Sequence, residues 1–201
     1  IAEFWRKWHI SLSTWFRDYL YIPLGGSQGG TWKKIRNTFI IFIVSGFWHG
    51  ANWTFIFWGL LNAMYFLPLL LTNRNRNNME TVAQGKVFPS IKEFGLMLFT
   101  FTLTVFAWIF FRADDLTHAF TYISDIFTQS IFSRPDSLPK TQLRLIVIFL
   151  LIEWYGREQE YGIAKLGLSW TRPLRWLLYL ILFASLFIYS TEGQDFIYFQ
   201  F

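Results

Sequence analysis

Residues 38–71 read TFIIFIVSGFWHGANWTFIFWGLLNAMYFLPLLL, 34 positions without one Asp, Glu, Lys or Arg. A single helix of that length would extend about 51 Å, against the roughly 30 Å of hydrocarbon in a bilayer. Near its middle stand Ser45, Gly46, His49, Gly50 and Asn52, small and polar residues of the kind that kink or end helices. The stretch is therefore read as two helices, 38–49 and 53–71, forming a histidine-bearing hairpin or broken helix. Composition points the same way. Of 201 residues 53% are hydrophobic, 22% aromatic and only 15% charged, where a soluble domain carries about 25% charged residues. That balance argues against a soluble globule and against disorder. With no cysteine, disulfides, thiolate zinc sites and cysteine nucleophiles are excluded. The net charge of +5 is spread in short groups between apolar runs, which suits the flanks of membrane spans and not a nucleic-acid-binding face.

Working outward, residues 94–111 form a charge-free run of 18 closed by Arg112, long enough for one crossing. Leu145 to Ile152 lies between Arg144 and Glu153; a span there, over 142–156, requires those charges to snorkel or pair. Trp176 to Thr191, within a span over 174–191, carries Trp176, Tyr179 and Tyr189 near its ends, where aromatic side chains favour the membrane interface. The polar tract 73–78 and the segment 112–140, which has room for a short surface helix, read as connections. The expectation is an all-α, polytopic integral membrane protein. It has about five transmembrane or re-entrant helices, with interfacial helices beside them. No repeat or linker divides residues 1–201.

Lys and Arg weigh the topology. If 38–71 is a hairpin, one side of the membrane receives fourteen of them and the other four; a single crossing would divide them ten to eight. The hairpin gives the stronger positive-inside bias and puts residues 1–37 on the cytoplasmic side. That first segment mixes Trp and Phe with cationic residues, a composition suited to the headgroup region. It begins at Ile1 without a leader pattern and reads as the middle of a longer chain.

His49 is the foremost candidate for chemistry. An ionisable group within a long charge-free stretch is costly and points to function, although a neutral imidazole bonded to a neighbouring helix would also satisfy the pattern. In its neutral form it can serve as a general base. Ser45, Gly46 and Gly50 would let a substrate come close. His9, in the aromatic and basic segment, is equally readable as an interfacial residue, and His118, after Asp114 and Asp115, as a solvated one. These are the three histidines of the chain, and no spacing among them suits a metal. In the Gly-rich stretch 23–31, Thr31 stands where a Walker loop requires lysine. A turn is the favoured reading over an anion nest assisted by Lys33, Lys34 and Arg36.

Two blocks carry a family resemblance: FWRKWHISLSTWFRDYLYIPLGG at 4–26 and SGFWHGANW at 45–53, with DFIYFQF at 195–201 as a third, aromatic element. Together they resemble the membrane-bound O-acyltransferases. Within that family the likeness is to the bacterial branch of alginate O-acetyltransferase and the D-alanyl transfer protein. The resemblance implies a multi-span helical enzyme with a tunnel through the cytoplasmic (inner) membrane, of which this chain is the C-terminal half and the missing N-terminal half a partner. It matches His49 to the family's principal catalytic histidine and His9 to the second motif position. Arg17, Asp18, Gly25 and Gly26 match motif positions without an individual role.

The implied reaction moves an acyl group, acetyl foremost, from a cytoplasmic thioester such as acetyl-CoA or an acyl carrier protein. The acceptor is a hydroxyl of an extracytoplasmic polysaccharide or of an extracytoplasmic acyltransferase partner. No permanently bound cofactor and no metal is expected. Asn52, taken as lying near the same helical face as His49, is a candidate oxyanion donor, as is the indole of Trp48; Ser45 is a candidate substrate contact. A transporter or channel with an intramembrane histidine, or a non-catalytic membrane subunit, are the competing readings.

Overall fold

The computed structural model describes residues 1–75, 80–128 and 138–189. The described residues are helical and contain no strand. Parts of the 73–78 tract and of the 112–140 segment, the end of the last span, and the 195–201 element lie outside them. The chain divides into two compact units, residues 1–133 and 134–201.

In the first unit, short helices α1 (Ala2–Lys7) and α2 (Ile10–Phe16) lead through a π turn, Arg17–Tyr21, to α3 (Gly30–His49) and α4 (Trp53–Leu71). Helix α3 starts eight residues before the charge-free run, because Lys33, Lys34 and Arg36 occupy its first turns. It stops at Gly50, and the next two residues lead into α4, capped by the Asn52 side chain accepting from the Thr54 amide at 3.1 Å. Capping relieves one of the four unpaired amides of a helix start.

The two helices run antiparallel and touch backbone to backbone at two places. A Cβ on Gly46 would collide with the Phe55 carbonyl oxygen, and one on Gly59 with that of Phe42. Sequence reading assigned Gly46 to substrate approach; the group that approaches it is α4. Small residues permit such contacts between membrane helices, where burial of apolar surface alone drives little association.

Helix α5 (Ile91–Arg112) begins three residues earlier than its charge-free run. Ser90 and Glu93 form a reciprocal capping box, the Ser90 amide donating to Glu93 Oε2 at 2.7 Å. The cap, and not the last charge, sets the start. After Arg112 the chain is extended at Ala113, and Asp115 Oδ1 accepts from the His118 amide at 2.7 Å as α6 (Leu116–Thr128) starts. This amphipathic helix buries Ala119 and sets Phe120 against Phe57 and Phe110, with ring centroids 5.8 and 5.5 Å apart. Trp58, Ala107, Phe110 and Ala119 form the core of the unit.

The second unit holds α7 (Lys140–Gly156) and α8 (Arg172–Tyr189). Leu145 to Leu151 are all exposed, an apolar surface of the kind that suits contact with lipid or protein. Among the described residues, α4 and α5 are long and apolar enough to cross a membrane by length and composition. Helix α3 carries Lys33, Lys34 and Arg36 in its first turns and α7 has 17 residues, so two of the about five expected transmembrane or re-entrant helices meet this measure.

This packing sets two stability outcomes. Gly46→Ala and Gly59→Ala each force α3 and α4 apart and should destabilise by about 1–3 kcal/mol, the usual range for overpacking. Gly95→Ala, with open space around it, should be neutral or stabilising by up to about 1 kcal/mol. Thermal melting of the detergent-purified protein, followed by tryptophan fluorescence, checks both.

Candidate functional site

The hairpin sets where His49 lies. It is the last residue of α3, so the middle of the charge-free stretch becomes the tip of the hairpin, about 20 Å along the helix from Arg36. The fold-back is the one expected from the small and polar cluster at 45–52, with α3 ending at His49 and α4 starting at Trp53.

The imidazole of His49 is partly buried among rings. Trp58 and Phe111 meet it edge to face, with centroids 5.3 and 5.0 Å away at interplanar angles of 89° and 79°. Phe55 lies at 6.3 Å. Phe111 also contacts Phe55 and Trp58, at 5.0 and 5.3 Å, so α4 and the end of α5 form one aromatic wall. Each such pair contributes on the order of 0.5–1.5 kcal/mol beyond its buried area. Sequence reading missed Trp58 and Phe111. Trp58 lies five residues beyond the histidine block, but nothing in the apolar run of α5 distinguishes Phe111 from its neighbours.

His9 is brought to the same place. It is exposed, stands at the N-cap of α2, and adopts a left-handed backbone with φ 45° and ψ 55°, a conformation uncommon outside glycine and asparagine and worth a functional question. The ring of Trp48 stands between the histidines, 6.4 Å from His9 and 4.9 Å from His49. Helix α1 makes this possible by docking into the unit. Trp5 meets Phe42 and Trp58 at 5.3 and 5.8 Å, and Trp8 meets Trp108 at 5.8 Å. Trp5 is thus packed against the hairpin, where the composition of 1–37 had suggested an interfacial segment.

The remaining candidates separate. Asn52 is not on the helical face of His49, because the helix ends between them; its Nδ2 donates to the Asp114 carbonyl at 2.8 Å while its Oδ1 caps α4. Ser45 is buried on α3, and Trp48 is half exposed. Arg17 and Asp18 pair with each other at 2.7 Å on the exposed π turn, and the guanidinium's hydrogen bond holds the Asp18 carboxyl below the usual carboxylate range. His118 is exposed and pairs with Asp114 at 3.2 Å. Among the described residues no three His, Asp or Glu side chains gather as metal ligands.

The glycine stretch is a turn held from inside. Gly25 and Gly26 have φ of 96° and 57°, which glycine adopts without strain. Fully buried Asn37 donates to the carbonyls of Leu24 and Gly26 at 3.2 and 3.0 Å and accepts from Arg36 Nη2 at 2.8 Å. Arg36 is therefore committed to the turn's own scaffold, and two of the turn's carbonyls point inward.

Known proteins share this arrangement's sequence. The chain is 36% identical to a probable alginate O-acetylase AlgI of Pseudomonas putida over all of this chain and 44% of that protein. A probable alginate O-acetylase AlgI of Pseudomonas fluorescens is 44% identical over 81% of this chain and 30% of its own length. The peptidoglycan O-acetyltransferase of Helicobacter pylori is 28% identical over all of this chain and 40% of its length. The chain spans less than half the length of the curated relatives it matches, and no solved structure matches it. Residues 1–110, which contain both histidines and the hairpin, match the MBOAT family model, and the chain belongs to the membrane-bound O-acyltransferase family.

Proposed function

We propose that this chain forms the histidine-bearing part of a membrane O-acyltransferase that moves an acetyl group from a thioester to a hydroxyl outside the cytoplasm. The observation that carries the reading is the convergence of His9 and His49 on Trp48 at the hairpin tip. Family membership supports acyl transfer, and the relatives' names specify O-acetylation of alginate and of peptidoglycan. Both are polysaccharides with free hydroxyls.

In this reading neutral His49 accepts the proton of the acceptor hydroxyl as its oxygen attacks the thioester carbonyl. The tetrahedral intermediate then collapses with loss of the thiolate, which takes up the proton held by the imidazole. General base assistance of this kind contributes about 10²–10⁴ in rate. The rings of Trp58 and Phe111 hold the imidazole plane and limit water around it. His9 and the Trp48 indole stand where they could orient a substrate or polarise the carbonyl.

Charge orients the proposal in the cytoplasmic membrane as a multi-pass protein. Lys33, Lys34 and Arg36 occupy the start of α3, at the opposite end from His49. With the basic end cytoplasmic, both histidines face the acceptor side, so the residues around His9 depart from the cytoplasmic placement that charge counting gave all of 1–37, and the donor thioester must reach them from the far end of the hairpin. Residues beyond this chain are assigned the rest of that passage. The acceptor is the polysaccharide itself or an extracytoplasmic acyltransferase that relays the group.

The test uses the full-length protein in membranes with labelled acetyl-CoA as the probe. His49→Ala should lower acetyl transfer at least about hundredfold, the low end of general-base assistance, at unchanged membrane abundance, and His9→Ala should reduce turnover by a smaller factor. Near-normal transfer by His49→Ala sinks the reading, and movement of substrate without acetyl transfer would favour a transporter. An unaltered rate for His9→Ala would confine His9 to its packing against Trp48.

A further inference from the structure

The side chain of Asn52 joins two elements that sequence reading did not connect. Its Oδ1 accepts from the Thr54 amide at 3.1 Å and so fixes the start of α4; its Nδ2 donates to the backbone carbonyl of Asp114 at 2.8 Å, 62 residues away. Three residues before Asp114 is Phe111, whose ring lies 5.0 Å from His49 and 5.0 Å from Phe55. Three residues before Asn52 is His49 itself, last in α3. One amide therefore spans the hairpin tip and the end of α5, directly beside the aromatic wall that touches the imidazole.

The surroundings make this bond a polar tie of that corner. Ala113 is extended, so α5 has ended one residue after Phe111 and the loop 113–115 continues directly from it. On the other side of Asp114, His118 Nδ1 lies 3.2 Å from the Asp114 carboxylate and Asp115 caps α6. The loop is thus anchored to α6 by side chains and to the hairpin tip by Asn52.

We infer that Asn52 is a positioning residue: by tying the α3–α4 turn to the carbonyl of Asp114, it sets the Phe111 ring against His49 and fixes the angle at which the imidazole meets its substrates. This rests on the assignment of His49 as the general base. It differs from the oxyanion role expected from sequence, since the amide acts through Phe111 and makes no substrate contact. The asparagine is matched to the two tasks. An aspartate or a serine can cap α4, but neither offers the amide N–H that Asp114 accepts.

The experiment measures acetyl transfer from labelled acetyl-CoA by the full-length protein in membranes, with kcat and KM separated, for Asn52→Ser, Asn52→Asp, Phe111→Leu and Asn52→Ser/Phe111→Leu. Asn52→Ser retains a cap and should keep wild-type abundance and melting temperature. Its kcat should fall at least tenfold, with KM for acetyl-CoA within twofold, and Asn52→Asp should fall at least as far. The double variant should be no slower than the slower single one, because both changes release the same ring. Wild-type kcat in Asn52→Ser overturns the inference, and so do multiplicative losses in the double variant, which would mean that Asn52 acts on the substrate directly. If Asn52→Asp is poorly produced, Asn52→Ser decides. His49→Ala separates the two levels: its retained activity would remove the general base, whereas its inactivity beside a fully active Asn52→Ser would remove only the positioning role.

Discussion

The close antiparallel contact between α3 and α4 is the constraint on which the rest depends. Gly46 and Gly59 remove the side chains that would keep the backbones apart, and the chain turns in the three residues between His49 and Trp53. A stretch of 34 uncharged residues then has its centre at one end of a two-helix unit, with both charged flanks at the other. The histidine's location, the separation from Lys33, Lys34 and Arg36, and the access of α1 and α5 to the imidazole all result from that fold-back.

Much of this was legible. Absence of charge marked the helices, and the polar cluster at 45–52 marked the break, because a backbone that leaves a helix needs capping groups and small residues at the turn. Helix starts were less legible. Charge counting put α3 and α5 too late, since Lys33, Arg36 and the Ser90–Glu93 box belong to first turns whose side chains reach out of the apolar zone or cap the helix.

The candidate site was read from the sequence as two histidines, without the side chains that bring them together. His9 and His49 are forty positions apart, and only the docking of Trp5 and Trp8 onto Phe42, Trp58 and Trp108 brings them to one indole. Aromatic residues make up 22% of the chain, so no single ring stands out by type. Pairing among rings is decided by three-dimensional neighbours. Polar side chains were less legible for the opposite reason. Asn52 looks like chemistry because it sits near a motif, yet it caps α4 and bonds the Asp114 carbonyl, while Asn37, which the sequence did not single out, is buried and holds the carbonyls of Leu24 and Gly26.

Those structural bonds are what the proposed role of His49 at a helix end requires. In the middle of a helix, His49 would be held by its own backbone on both sides. At the last residue of α3 it is held by helix on one side only, and the chain beyond it turns through extended backbone at Gly50 and Asn52 before α4 begins. Rigidity must then come from neighbours. Trp58 and Phe111 supply contact area without competing for the ring's proton, while the bonds of Asn52 to Thr54 and Asp114 fix the elements those rings grow from. In the proposed reaction such a division separates the group that would exchange a proton from the groups that hold it, and places geometry under side chains that do not titrate, the arrangement preorganised general-base catalysis demands.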